Sequence, residues 1–110
     1  MATRRVRHSM AYVTAPDQKT AQKIAREIVD RRLAACANLW PVDSIYRWHG
    51  AREEAEEFVI VFKTRTSVLP KLIAEVRRLH PHDVPCIVSY PMGPALSEYL
   101  KWIDAETAQR

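Results

Sequence analysis

The feature that most constrains the fold is a pair of extended segments that are too long for a domain of this size. Residues 33–48 form one β-strand candidate, and residues 58–64, rich in β-branched and aromatic side chains, form a second. At about 3.3 Å per residue, an unbroken strand over the first segment spans about 50 Å. A domain of about 100 residues has a radius of gyration of only about 13 Å. We therefore expect a hairpin that bends back or extends beyond its own domain.

The glycine and proline positions predict where this hairpin turns, and its length predicts which side chains it exposes. Gly50 favours a turn near residues 49–51, and residues 52–57 read as a charged connection. Pro41 lacks an N–H and is expected at a bulge or on an edge strand. An overhanging hairpin leaves strand edges unpaired and exposes large side chains that another subunit can cover: Trp40, Ile45, Tyr46 and Trp48. The sequence therefore predicts a homo-oligomer held by strand pairing between subunits.

Two segments have the apolar periodicity of amphipathic helices. The first covers residues 17–31, with Asp17 as its N-cap. The second covers residues 67–79, with Ser67 as its N-cap and Pro70 in the first turn, where proline is tolerated. Both helices carry apolar side chains on one side only, so each is expected to pack one face against a sheet.

Short strands complete the pattern before the first helix, at residues 10–14, and after the second, at residues 86–90. The order is β-α-β-β-α-β followed by a short C-terminal helix. Two right-handed βαβ crossovers place four strands in one antiparallel sheet with two helices on one face. The predicted fold class is α+β, a ferredoxin-like sandwich with a long β-hairpin. We expect a flexible basic tail over residues 1–9 and one domain over residues 10–110.

The amino-acid composition argues against several classes of function. The chain has 110 residues, 47% hydrophobic and 27% charged, which is typical of one globular domain. The net charge of +4 comes without a basic stripe interleaved with aromatic residues, so we expect no nucleic-acid partner. No apolar run approaches the length of about 20 residues that a membrane helix needs, so we expect no membrane partner. Two cysteines are too few for a disulfide framework, which favours a cytoplasmic protein with reduced thiols.

The densest set of potential metal ligands is His80, His82 and Cys86, which lie in one proline-bounded segment. Residues two apart in an extended segment point the same way, so the two imidazoles could share copper or zinc. The alternative is a loop whose histidines make ordinary hydrogen bonds. Cys36 is likewise either a thiolate ligand or nucleophile, or a small buried side chain in a strand.

No catalytic constellation can be assembled from this sequence. A nucleophile, a base and a residue that orients the base do not occur in any recognisable pattern. The acidic run Glu53, Glu54, Glu56 and Glu57 is typical of a solvated surface. Two isolated glycines exclude the glycine-rich phosphate-binding and dinucleotide-binding loops. We therefore expect that the protein is not an enzyme and has no catalytic residues.

Six short motifs occur in order between residues 11 and 104: Tyr-Val-Thr-Ala-Pro (12–16), Arg-Leu-Ala-Ala-Cys-Ala-Asn (32–38), Ser-Ile-Tyr-Arg-Trp-His-Gly (44–50), Lys-Thr (63–64), His-Pro-His-Asp-Val-Pro (80–85) and Tyr-Leu-Lys-Trp-Ile-Asp (99–104). In this order they resemble the CutA divalent-cation tolerance family. The resemblance implies a ferredoxin-like subunit in a homotrimer, similar in fold and assembly to the nitrogen-regulatory PII proteins. It also implies a role in tolerance to copper and other divalent cations.

The ligands that the resemblance implies differ from those of some copper-binding relatives. Cys36 matches the recurrent cysteine of the family, and His80 matches the histidine of its His-Pro motif. Some relatives have a further cysteine where this chain has Val13, and a further histidine in place of its Leu79. Here His82 replaces a tyrosine that is common in the family, and Cys86 replaces a glutamate that is usual there. The candidate metal ligands are therefore Cys36, His80, His82 and Cys86.

Two functions stay open at this point. The first is a metal-linked trimer that binds copper or another divalent cation through thiolate and imidazole, with no metal required for folding. The alternative is a PII-like signalling or scaffold trimer that binds a small effector or a protein partner in clefts between subunits. Fold analogy alone does not decide between them.

Overall fold

The computed structural model describes residues 6–107 and has the predicted α+β architecture. Its elements, in chain order, are β1 (His8–Ala15), α1 (Gln18–Asp30), β2 (Cys36–Trp48), β3 (Ala51–Arg65), α2 (Leu69–Leu79), β4 (Ile87–Pro91) and α3 (Ser97–Glu106). The predicted order of strands and helices is thus confirmed. Residues 1–5 of the predicted tail lie outside the described residues, and its last two residues belong to β1. No helix among the described residues is long and apolar enough to cross a membrane.

The four strands form one antiparallel sheet in the order β2-β3-β1-β4. Side chains of β1 alternate between buried and half-buried positions, and the buried ones pack with α1 and α2 in the core. We call this side of the sheet the helix face. Its largest fully buried residues include Phe62, Ile24, Ile28, Ile60 and Leu72.

The opposite side of the sheet, here called the open face, is covered only in part, by α3. His8 Nε2 lies 2.8 Å from Asp104 Oδ1, and Arg65 donates to the side chain and backbone of Thr107. Ile103 of α3 and Val59 of β3 are fully buried. The C-terminal helix therefore shields one end of the open face, and the end nearest the hairpin stays exposed.

The β2–β3 hairpin extends well beyond the rest of the sheet, as predicted. The pairing of β1 with β3 ends at Ala15 and Phe58, whereas β2 and β3 stay paired out to Trp48 and Ala51. Seven residues of each strand lie past the end of β1, a length of about 23 Å at 3.3 Å per residue. We call residues 42–57 the overhang. The four large side chains that were predicted to be exposed are exposed in the structure: Trp40, Ile45, Tyr46 and Trp48.

One prediction about the hairpin is wrong. Residues 52–57, expected as a charged connection, belong to β3 and pair with β2 in continuous register. Most of these charged side chains are exposed because no helix packs beneath this part of the sheet. Backbone pairing across the hairpin is sufficient to hold the strand there, and the charges stay in water. Pro41 lies in β2, an edge strand, as its missing N–H requires.

The start of α2 also differs from the prediction. Ser67 is not the N-cap: the helix begins after Val68, which makes no side-chain capping hydrogen bond. A short 3₁₀ turn, Thr66–Val68, precedes it, and the Thr66 N–H donates to the Arg7 carbonyl oxygen. A tertiary contact with Arg7, the residue before β1, therefore holds this turn in place of a local cap. Pro70 lies in the first turn, as predicted.

Candidate functional site

A groove on the open face lies between the overhang and residues 81–86. Its volume is about 910 Å³. Strand residues from three elements line one side, and the segment that leads into β4 lines the other. The lining residues that matter below are Tyr12, Tyr46, Trp48, Glu57, His82 and Cys86. We refer to this feature as the groove.

The segment that forms one wall of the groove is held in place by His80. Its imidazole is buried, and Nε2 lies 2.7 Å from the carbonyl oxygen of Thr14. Its Nδ1 accepts the backbone N–H of His82 at 3.1 Å. A carbonyl can only accept and an N–H can only donate, so the ring is neutral with its proton on Nε2. Both nitrogens of His80 are therefore engaged with the backbone.

His82 and Cys86 lie at the groove itself. The ring of His82 lies 4.9 Å from that of His80, and the thiol of Cys86 is exposed just before β4. Burial raises the pKa of Tyr12, and the charges of Cys86, Tyr90 and Glu57 raise it further.

Cys36 lies in a separate place, at the start of β2. Its thiol is half-buried, and Sγ lies 3.6 Å from the hydroxyl oxygen of Tyr99 on α3. Burial, together with the hydrogen bond and charge of Cys36, raises the pKa of Tyr99 to about 12. The phenol therefore stays protonated over the whole physiological range.

The two cysteines are not neighbours. Cys36 lies on the edge strand β2, and Cys86 precedes the opposite edge strand β4, with β3 and β1 between them. Three strand spacings separate these edges by about 14 Å, well beyond the Cα separation of about 7 Å at which a disulfide becomes impossible.

The four candidate ligands thus occupy different environments. His82 and Cys86 share the groove, His80 braces the wall behind it, and Cys36 pairs with Tyr99. Within residues 6–107, no group of three or more His, Cys, Asp and Glu side chains is close enough to bind a metal. A metal bound by this part of one chain would therefore need further ligands from water or from another chain.

Several groove residues were not predicted as site residues. Tyr46 and Trp48 were expected on the exposed overhang, where another subunit covers them, and Glu57 was expected on a solvated surface. All three lie on the open face, since Glu57 pairs with Val42 in the ladder and the two aromatic residues follow at alternate positions of β2. The alternation of side chains along β2 could have indicated which residues share the open face. It could be used only once the position of the overhang was known.

Comparison with known proteins agrees with the motif resemblance. The sequence profile of the family described as CutA1 divalent ion tolerance protein matches residues 9–106. The chain is 38% identical to the divalent-cation tolerance protein CutA of Archaeoglobus fulgidus over 88% of its own length and 95% of that protein. It is 43% identical to the CutA protein of Homo sapiens over 86% of its length, and this match spans 54% of the human protein. The chain therefore spans only about half of such animal relatives.

Solved structures agree on the fold. The structure of the Archaeoglobus fulgidus protein, described as a periplasmic divalent cation tolerance protein, superposes with a TM-score of 0.90 at 37% identity, covering 92% of this chain and 99% of that one. CutA1 from Oryza sativa superposes with a TM-score of 0.91 at 32% identity, covering 96% of this chain and 97% of that one. Both alignments include nearly all of the sheet, the helices and the hairpin.

Proposed function

Since the chain belongs to the CutA1 divalent ion tolerance family, we propose that it acts in the cytoplasm as a homotrimer that binds copper through His82 and Cys86. The observation that carries this assignment is that an imidazole and an exposed thiol line the same groove. The other two predicted ligands are engaged elsewhere, since both ring nitrogens of His80 hold backbone groups and Cys36 is paired with Tyr99. In this proposal those two residues stabilise the fold and do not bind the metal.

The chemistry of the two donors favours copper in its reduced state. A thiolate is a soft ligand that selects Cu(I), and imidazole also suits copper. Cu(I) tolerates a low coordination number, so a pair of side chains can begin a site that a third ligand completes. Asp83 lies in the same wall of the groove, but carboxylate oxygens favour harder cations. The third ligand is expected from a neighbouring chain or from solvent.

The trimer is supported by surfaces that a single chain leaves exposed. In the described part of the chain, β2 and β4 each pair on one side only, so both sheet edges have unpaired backbone groups. The overhang and the partly covered open face expose large apolar side chains. Such surfaces are typical of subunit interfaces. Strand pairing between copies would satisfy the edges and cover these side chains together.

The metal site is tested by titration with Cu(I) in anaerobic buffer, using a chromogenic chelator as competitor. Cys86→Ser and His82→Ala are expected to weaken the affinity at least about tenfold, the scale at which even outer-shell changes weaken metal binding. Cys36→Ser is the matched control and is expected to leave the affinity unchanged. Loss of binding in Cys36→Ser, with full affinity in Cys86→Ser, would contradict the assignment.

The assembly is tested separately by sedimentation equilibrium. One chain has a mass of 12.7 kDa, so a trimer has three times that mass. We expect this mass at micromolar concentration, with and without copper. A species of single-chain mass would show that the overhang needs no partner.

The alternative role, binding of a small effector, is also favoured by one observation. The groove volume of about 910 Å³ falls within the range of about 300–1,000 Å³ that small-molecule sites occupy. A copper ion fills only a small part of this space.

A further inference from the structure

We propose that residues 81–86 form a preorganised chelating loop, and that His80 is a positioning residue that sets its affinity for Cu(I) without binding the metal. This inference rests on the proposed function and deepens it, because it concerns the same two ligands, His82 and Cys86. The observation that carries it is that both ends of the loop are fastened to neighbouring residues of β1.

The first end of the loop is fastened by His80. A residue before proline is restricted to extended backbone, and His80, which precedes Pro81, ends α2 with φ of −80° and ψ of 137°. Its ring is buried, and Nε2 donates to the carbonyl oxygen of Thr14 at 2.7 Å. The start of the loop is therefore tied to the end of β1 by a side chain.

The second end of the loop is fastened by the sheet. Ile87, the first residue of β4, pairs with Val13 of β1 and packs against the core. Val13 and Thr14 are consecutive, so both ends of the loop are held at one place on β1. Pro85 restricts the backbone just before Cys86. The loop is therefore closed, and its two ends cannot move independently.

His80 also contacts the first metal ligand directly. Its Nδ1 accepts the backbone N–H of His82 at 3.1 Å, and the two rings lie 4.9 Å apart with an angle of 54° between their planes. The hydrogen bond fixes the backbone of His82, and the ring contact limits the rotamers that its side chain adopts. The direction of the His82 imidazole is therefore set before a metal arrives.

A closed loop gives its two ligands a higher affinity than an open one. A loop that is already ordered loses less conformational entropy when it binds. Without His80 the sheet still holds the end at Ile87, but the metal itself has to order the start of the loop. Both fastenings lie on β1, so a neighbouring copy that covers the overhang leaves them in place.

Three variants of His80 separate its hydrogen bonds, and their Cu(I) affinity is measured by chelator competition in anaerobic buffer. His80→Ala removes both bonds and is expected to weaken the affinity about tenfold or more, as the loss of a partner of a metal ligand does. His80→Gln places an amide N–H where Nε2 was and can donate to Thr14, so its affinity should stay within about threefold of the wild type. His80→Asn can accept the His82 N–H, as in an Asx turn, but is too short to reach Thr14. It should be as weak as His80→Ala.

Thr64→Val is the matched control for a loss of stability. It also removes a buried hydrogen bond, from the Thr64 hydroxyl to the Leu33 carbonyl oxygen, but it lies in β3 and outside the loop. At a temperature at which all variants are folded, its Cu(I) affinity is expected to equal that of the wild type.

The order of the loop in the metal-free protein is a second readout. In ¹⁵N relaxation measurements, the amide order parameters of residues 82–84 and 86 are expected to fall towards about 0.6, the value of flexible backbone, in His80→Ala and His80→Asn. They should return to the wild-type values in His80→Gln. The order parameters of β1 and β3 should stay unchanged in all three variants.

The outcomes distinguish this inference from the proposed metal site. Full affinity in Cys86→Ser would overturn both. Loss of affinity in Cys86→Ser with an unchanged affinity in His80→Ala would overturn the positioning role alone. Equal losses in His80→Ala and Thr64→Val would mean that global stability sets the affinity, which would also overturn it. A weak His80→Gln variant with an ordered loop would mean that His80 is itself a ligand, and the inference would be wrong.

Discussion

His80 and Thr14 are joined by a hydrogen bond of 2.7 Å between Nε2 of the imidazole and the backbone carbonyl oxygen. These residues are 66 positions apart in sequence, and the bond fastens the end of α2 to the end of β1. His80, a candidate metal ligand in the sequence, therefore holds the segment after α2 against β1 through this bond. Its neighbour His82 lies on the exposed side of the same segment.

We expect His80→Ala to destabilise the fold and His82→Ala to leave its stability nearly unchanged. Removal of the buried His80 ring leaves a cavity and takes a hydrogen bond from the half-buried Thr14 carbonyl, and we expect a loss of about 1–3 kcal/mol. His82 is exposed, and exposed substitutions usually change the free energy of unfolding by less than about 0.5 kcal/mol. The measurement is guanidinium-induced unfolding at one fixed protein concentration. Equal stability of the two variants would show that the brace is unimportant.

Tyr99 gives the stability of the fold a pH dependence in the alkaline range. Burial and Cys36 raise its pKa to about 12 from its ordinary value of 10.0. Because the folded state keeps the proton longer, the stabilisation is complete below about pH 10 and is lost as the pH rises towards 12. We expect the free energy of unfolding to fall in this window more steeply in the wild type than in Tyr99→Phe.

The control for this prediction is the absorbance of tyrosinate. Titration of the wild type should contain a component near pH 12 that is absent from Tyr99→Phe. A Cys36→Ala variant should move this component to lower pH, since the thiol contributes to the shift. Identical titrations of the wild type and Tyr99→Phe would contradict the Cys36–Tyr99 contact.

Most of the fold could be predicted because local patterns and tertiary packing agree. The apolar spacing of α1 and its Asp17 cap both predict the helix that is found, and Asp17 Oδ1 accepts the Thr20 N–H at 2.7 Å. The errors occur where a long-range contact overrides a local signal. Ser67 has the residue type of a cap, but the turn before α2 is held by Arg7, which precedes β1. Residues 52–57 have the charge of a loop, but β2 pairs with them.

The candidate site was less predictable, and the reason is geometric. Sequence proximity grouped His80 with His82, yet burial makes one a brace and leaves the other at the groove. Residue type grouped Cys36 with Cys86, yet the sheet order puts them at opposite edges. The groove itself is formed by residues from distant parts of the chain. The spacing and composition of the sequence do not indicate where the overhang lies relative to the segment before β4.

A buried hydroxyl group in β3 tests whether a hydrogen bond stabilises the segment that leads into β2. Thr64 is fully buried, and its Oγ1 donates to the carbonyl oxygen of Leu33 at 2.7 Å. Thr64→Val keeps the shape of the side chain but leaves that carbonyl unpaired, and we expect a loss of about 1–2 kcal/mol in the free energy of unfolding. Thr64→Ser keeps the hydroxyl and should retain the hydrogen bond. If Thr64→Val is as stable as the wild type and Thr64→Ser is not, the methyl group and not the hydrogen bond stabilises this site.

The turn of the overhang tests whether its backbone conformation matters. His49 and Gly50 have φ angles of 50° and 80°, as a two-residue type I′ turn requires. A Cβ on Gly50 would meet nothing within 4 Å, so only backbone strain opposes Gly50→Ala. We expect a loss of about 1 kcal/mol, the usual cost of a left-handed conformation in a residue with a Cβ. Gly93→Ala is the matched control, because Gly93 also has open space around it and its φ lies outside the left-handed region. Thermal unfolding of both variants checks this, and an equal loss would show that the φ of Gly50 is not the cause.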